Sequence, residues 1–291
     1  MKKILITGAS GFLGKNLAES LSVKYNLLLP AHKALNLINA GEVKKYLEIE
    51  RPDIVIHTAG VGLTRKENNE AKFLEQNLAM FNNLSDNQHL FKKMLFCGSG
   101  AVYDKSKPLS QVTEEAFGKT IPQDVYGKYK YECSSYIVGA ENIIDLRLFG
   151  VFGKYEDYST RFISNTICKS LLNMPVKIFK NVFFEYLYVN DFVEVVDFFI
   201  NNEVKYKAYN VGNGRPISLL EIAEKIKFLF NPNLQIGLIS KDLGNEYSCS
   251  NSRLTKELEN FKFKSIDESL IELYNWYKEH LPFINQAKLL S

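Results

Sequence analysis

Ile4-Leu5-Ile6-Thr7-Gly8-Ala9-Ser10-Gly11-Phe12-Leu13-Gly14 lies almost at the start of the chain. Three apolar residues make a short buried strand. Three glycines follow in the spacing G-x-x-G-x-x-G. Leu13, Leu17 and Leu21 then recur every four residues, which places them on one face of a helix over residues 14–23. Glycine is needed where the backbone must turn tightly and approach a pyrophosphate closely. The helix start adds unpaired N–H groups and the positive end of its dipole. Gly8, Ser10, Gly11, Phe12, Leu13 and Gly14 are therefore candidate dinucleotide contacts. A glycine-rich turn without a ligand is the alternative, but a position between a first strand and a first helix favours the phosphate reading.

The same rhythm continues outward. Residues 26–29, 53–57, 93–97 and 143–148 read as strands, and residues 42–49, 72–87 and 123–139 as helices. Alternation of this kind predicts an α/β fold with a doubly wound, parallel, Rossmann-type sheet and right-handed crossovers. After about Gly153 the pattern changes. Helices are expected at 161–173, 190–200, 218–230 and 266–278, with strands at 175–179 and 208–211. Asn190 or Asp191 is the expected cap of the second of these helices, and Ser218 with Glu221 reads as a capping box for the third. The division expected is a dinucleotide-binding domain over 1–160, rejoined by segments around 185–210, and a smaller α+β substrate lobe over 161–291.

Bulk properties narrow the function. The 291 residues are 46% hydrophobic and 24% charged, which excludes wholesale disorder. A net charge of +3, with lysines spread along the chain, gives no reason to expect nucleic acid. Cys97, Cys133, Cys168 and Cys249 are spaced too widely for zinc pairs; each reads as a small buried hydrophobe or an unremarkable surface residue. The glycines at 8–14 interrupt any signal-peptide pattern, and no apolar run reaches the roughly 20 residues that cross a bilayer. The expectation is a cytoplasmic protein without metal or membrane partner.

Two further stretches carry chemistry. In Tyr126-Gly127-Lys128-Tyr129-Lys130, the outer residues are four apart and share a helix face. An ammonium beside a phenol favours the phenolate, so such a pair can exchange a proton near neutral pH. The strand at 93–97 runs into Gly98-Ser99-Gly100-Ala101-Val102-Tyr103. In this order the glycine turn, the strand-end serine and Y-x-x-x-K resemble the short-chain dehydrogenase/reductase family. The likeness is to its extended, NAD-dependent epimerase/dehydratase branch. Asp53-Ile54-Val55-Ile56-His57-Thr58-Ala59-Gly60 resembles that branch's strand and loop beside the cofactor, with Ala59 as a contact and His57 as a packing residue. Arg147-Leu148-Phe149-Gly150-Val151-Phe152-Gly153, Tyr188-Val189-Asn190-Asp191 and Tyr209-Asn210-Val211-Gly212 extend the resemblance. It implies Ser99, Tyr126, Lys130 and Asn77 as the catalytic set, with Tyr126 and Lys130 also touching the cofactor. A homodimer is common in that family, although no residue here points to one.

The second strand usually ends in an acid when NAD is bound. Here it runs Leu29-Pro30-Ala31-His32-Lys33. Lys33 and His32 would attract a 2′-phosphate, so NADP is expected, with NAD as the other option. Residues 34–39 and 51–53 are similar to the GDP-fucose synthase-like nucleotide-sugar 4-ketoreductases. Ala101 stands where that group keeps an epimerising cysteine, and residues 154–162 hold no histidine. Gly150 replaces an asparagine. Phe184 replaces a diphosphate-binding arginine, for which Lys177, Lys180, Arg161 or Arg215 are candidate substitutes. The expectation is NADPH-dependent reduction of a nucleotide-linked 4-keto-6-deoxysugar, with Tyr126 as proton donor. The alternatives are a nucleotide-sugar epimerase holding NAD tightly and a cofactor-sensing regulator without catalysis.

Overall fold

The computed structural model describes residues 1–62 and 69–290. The first half alternates β1 (Lys3–Thr7), α1 (Phe12–Leu21), β2 (Asn26–Leu28), α2 (Ala40–Glu50), β3 (Ile54–His57), α3 (Glu70–Ser85) and β4 (Lys93–Ser99). A short β5 (Leu109–Val112), α4 (Val125–Gly139), β6 (Ile143–Leu148) and β7 (Val151–Phe152) follow. Next come α5 (Phe162–Leu171), β8 (Val176–Asn181), β9 (Phe183–Phe184), β10 (Leu187–Tyr188), α6 (Val189–Asn201) and β11 (Ala208–Val211). The chain ends with β12 (Ile217–Ser218), α7 (Leu219–Phe230), β13 (Ile236–Leu243), β14 (Tyr247–Cys249), α8 (Ser252–Leu258) and α9 (Ile266–Glu279).

The main sheet is parallel, in the order β2-β1-β3-β4-β6-β11. Helix α1 packs beside α6, while α2 packs on α3 and α3 on α4. Strands covered on both faces bury every side chain, which is why Ile4, Leu5 and Ile6 are all inaccessible. The chain leaves β1 for β2 on one side and returns to β3 on the other. In open α/β sheets, ligands bind at the carboxyl ends of the strands where the order reverses in this way. The glycine turn follows β1 at that point.

The second lobe is α+β. Helices α5, α7 and α9 pack on one another, β8 pairs with β13, and a small sheet runs β12-β9-β14-β5. β7 and β10 form a short parallel pair between the lobes. One apolar cluster runs through both parts, from Ile4 and Leu146 to Ile222, Leu254 and Leu273.

Two expected caps differ. Helix α6 starts directly from β10 with Tyr188 as N-cap and no side-chain bond. Asp191 is instead buried and accepts from the Lys264 amide, and Asn190 bonds Glu272, so neither side chain is left for the helix start. Ser218 does accept the Glu221 amide, but the reciprocal box forms at Ser265 and Glu268 before α9. All four cysteines are buried and free. Among the described residues no helix is long and apolar enough to cross a membrane, and no cluster of His, Cys, Asp or Glu is placed to hold a metal.

Candidate active site

The glycines meet three different needs. Gly8 has φ +72°, and a Cβ there would lie 2.7 Å from Ala59 Cα. A Cβ on Gly14 would lie 2.2 Å from the Gly8 carbonyl oxygen, so only glycine lets α1 approach the turn. The Gly11 amide donates to that carbonyl at 2.9 Å, and Gly11 caps α1 without any side-chain bond. Ser10 and Gly11 are exposed, so the first-turn amides of α1 open outward. A cradle that a Cβ would fill, at an uncapped helix start, fits a dinucleotide pyrophosphate. Thr58 fastens the opposite wall by donating to the Thr7 carbonyl at 2.7 Å, next to Ala59. His32 and Lys33 lie exposed in the turn after β2.

Phe12, Leu13 and Ala59 line a cleft of about 950 Å³ that reaches into the second lobe. Its far wall includes Ser99, Tyr126 and Lys130. Ser99 is the last residue of β4 and is buried; its oxygen accepts the Ala101 amide at 3.1 Å. Helix α4 is capped by Asp124, which accepts from the Gly127 amide, and this fixes Tyr126 at its mouth. The Tyr126 ring is 41% exposed. Lys130 is buried one turn on and donates to the Cys97 carbonyl at 2.7 Å. Its ammonium lies 5.9 Å from the Tyr126 ring centre and 4.8 Å from that of Tyr129. Burial works against this charge, but Tyr129, Tyr126, Cys133 and Cys97 outweigh it and hold the ammonium above its ordinary range.

Asn77 is fully buried, and its amide is spent on backbone. It accepts from the Val61 amide and donates to the Val61 and Phe73 carbonyls, thereby holding the loop after β3 against the cleft. His57 is a core residue. It bonds Thr7 at 2.8 Å, and burial holds its pKa down to about 3.

Glu156 and Tyr247 are among the cleft residues that were not singled out from the sequence. Glu156, in the loop that lacks a histidine, is buried and accepts from the Ser164 hydroxyl at 2.7 Å. Burial pushes its carboxyl up to about 7 against the pull of Ser164 and Arg161. Tyr247 arrives from β14 and lines the cleft, its ring 4.8 Å from that of Phe149. Nothing local marks Tyr247. Of the four candidate substitutes for the missing cation, Arg161 lines the cleft and Lys177, Lys180 and Arg215 do not. Phe184 is there too, packed at 5.8 Å from Tyr186 and 5.9 Å from Tyr247.

GDP-L-colitose synthase from Yersinia pseudotuberculosis is 28% identical over 86% of this chain and 92% of its own. Among solved structures, the GDP-mannoheptose C4 reductase from Campylobacter jejuni with NADP bound superposes with a TM-score of 0.79 at 22% identity, covering 95% of this chain and 98% of that one. The UDP-glucose 4-epimerase of Thermus thermophilus in complex with NAD gives 0.80 at 18% identity, covering 95% and 99%. At such identities these two show a shared fold. The pattern of the NAD dependent epimerase/dehydratase family matches residues 4–212. With its parallel sheet, glycine cradle and Ser/Tyr/Lys wall, the chain is an enzyme of the NAD dependent epimerase/dehydratase family.

Proposed function

We propose that the protein reduces a nucleotide-linked 4-ketosugar, of the 4-keto-6-deoxy class, with NADPH. The observation that carries this is the meeting of Ser99, Tyr126 and Lys130 in the cleft that begins at the glycine turn. Gly8, Ser10, Gly11, Phe12, Leu13, Gly14 and Ala59 would hold the dinucleotide, with His32 and Lys33 near its 2′-phosphate. When bound, the reduced nicotinamide supplies a hydride. Tyr126 donates the proton to the sugar oxygen, Ser99 hydrogen-bonds that oxygen, and Lys130 stabilises the resulting phenolate electrostatically. Asn77 acts on the loop rather than on the substrate. Residues 161–291 would supply part of the substrate wall, where Arg161 lines the cleft as a cation suited to a diphosphate.

The departure at Ala101 favours reduction over epimerisation. A methyl group cannot take or give a proton, and moving a proton at a neighbouring carbon needs both an acid and a base. The test is a panel of nucleotide-linked 4-ketosugars with NADPH or NADH, followed by loss of reduced cofactor. At least one ketosugar should be turned over stoichiometrically. Tyr126→Phe should lose about 10²–10⁴-fold in rate while still binding NADPH. Turnover by that variant at the wild-type rate would defeat the assignment, and tightly retained cofactor that is never consumed would favour the epimerase.

A further inference from the structure

Lys105 lines the cleft, yet the proposed reduction leaves it without a task. It lies in the loop between β4 and β5. At the front of that loop the Tyr103 hydroxyl donates to the buried Asn210 side chain at 2.7 Å, and at its end the Leu109 amide donates to the Glu246 carbonyl, also at 2.7 Å. Between these anchors the Asp104 carboxylate accepts from the Ser106 amide at 3.1 Å, a side-chain turn with Lys105 exposed at its centre. The Lys105 ammonium lies 5.9 Å from the Tyr126 ring centre, at the mouth where that ring is exposed. It also pairs with an Asp124 carboxylate oxygen at 3.4 Å, and 40% of the lysine side chain and 45% of the aspartate are exposed.

Phe184 offers a phosphate no charge. Among the described residues, three cations line the cleft: Lys105, Lys130 and Arg161. Lys130 is buried and committed to the Cys97 carbonyl, so Lys105 and Arg161 are left to meet an anion. An ion pair between exposed side chains contributes little. The Asp124 carboxylate has one negative charge, and its other oxygen already accepts the Gly127 amide. A diphosphate brings more charge and more acceptor oxygens, and the flexible stem of a lysine lets its ammonium swing toward them. A neutral sugar hydroxyl cannot compete with a carboxylate in this way. We propose that Lys105 is a substrate-binding residue whose ammonium exchanges Asp124 for the diphosphate of the sugar nucleotide, acting with Arg161 of the second lobe. The charge missing at Phe184 is thereby supplied from the first lobe. This role rests on the ketosugar reductase reading.

Steady-state rates of the full-length protein test it, at saturating NADPH, with the best ketosugar of the panel and with inorganic pyrophosphate as a base-free inhibitor. Lys105→Met keeps the stem and removes the charge. It should raise both KM for the ketosugar and the pyrophosphate inhibition constant about tenfold, with kcat and KM for NADPH unchanged. Lys105→Arg should restore most of the pyrophosphate inhibition. Asp124→Asn keeps an acceptor for the Gly127 amide and removes the rival charge, so it should bind pyrophosphate more tightly than the wild type does. Thermal melts of all three variants show whether the fold is kept. If Lys105→Met leaves pyrophosphate inhibition unchanged, or lowers kcat alone, this inference is overturned while the reductase reading stands. A wild type that reduces no ketosugar overturns that reading, and this role with it.

Discussion

At Glu156 burial opposes hydrogen bonding, and burial prevails. Taking a carboxylate out of water disfavours its charged form, while the Ser164 hydroxyl and the Arg161 charge favour it. The group's folded pKa is raised from 4.5 to about 7. A raised acid is stabilising below its unfolded value, and that contribution is lost as pH climbs toward the folded value. The window therefore runs from about 4.5 to about 7, and at most a few kcal/mol are at stake. Glu156→Gln cannot titrate. Its melting temperature should gain on the wild type by several degrees between about pH 5 and about pH 8. Melts at both pH values and matched ionic strength check this, and a constant difference would contradict it. Lys33 illustrates what a single position can say when read against its neighbours. With no acid after β2, Lys33→Glu should weaken NADPH binding at least tenfold and leave NADH binding unchanged or improved. Calorimetric titration with both cofactors decides it, and equal affinities in the wild type would refute the NADP preference. Tyr126, Lys130 and Ser99 were legible because their spacing implies a shared face and a strand end. Glu156 was not, since its shifted chemistry comes from burial rather than from the loop's composition.

For elements, α1 shows two effects in competition. Alanine is favoured over glycine inside a helix by about 1 kcal/mol. A Cβ on Gly14, however, would meet the Gly8 carbonyl at 2.2 Å, and that turn is held by Thr58, in the loop after β3, which donates to the neighbouring Thr7 carbonyl. The clash should win. Gly14→Ala is expected to lower the melting temperature and to reduce NADPH affinity at least tenfold, because α1 must move off the cradle. Gly11→Ala should disturb the fold less, since its Cβ would sit 3.3 Å from the same oxygen at an ordinary φ of −81°. Fluorescence titration with NADPH and a melt on each variant compare them; a Gly14→Ala protein as stable and as tight-binding as wild type would remove the packing argument. The long elements of the main sheet were readable because a strand buried on both faces is a continuous apolar run, and a helix repeats every three or four residues. Strands such as β7, β9, β10 and β12 are two residues long. They exist only because a distant partner supplies their hydrogen bonds, so no local pattern announces them. The start of α6 was misplaced for a related reason: Asp191 looks like a cap, but a residue 73 positions away takes its carboxylate.

The molecule as a whole explains why a cleft residue near the end of the chain was hidden. The family pattern ends at residue 212, yet the cleft is closed by Tyr247, and the shared core continues into Ile222, Ile226, Leu254, Leu270, Leu273 and Tyr277. Helix α5 lies within the first 212 residues but buries Ile163 and Ile167 against α7 and α9, which lie beyond them. A fragment of residues 1–212 therefore keeps every strand of the main sheet and leaves one side of α5 without cover. Since folding is decided by a small difference between large terms, losing several fully buried aliphatic contacts at about 1.5–3 kcal/mol each exceeds the margin of an ordinary domain. The fragment should precipitate or, if kept soluble, bind an apolar dye and melt without a cooperative transition. Near-UV circular dichroism and a thermal scan of 1–212 beside the full chain check this. A cooperative melt within about five degrees of the full chain would mean that the two lobes fold independently, and that the seam through the cleft is an interface rather than a continuous core.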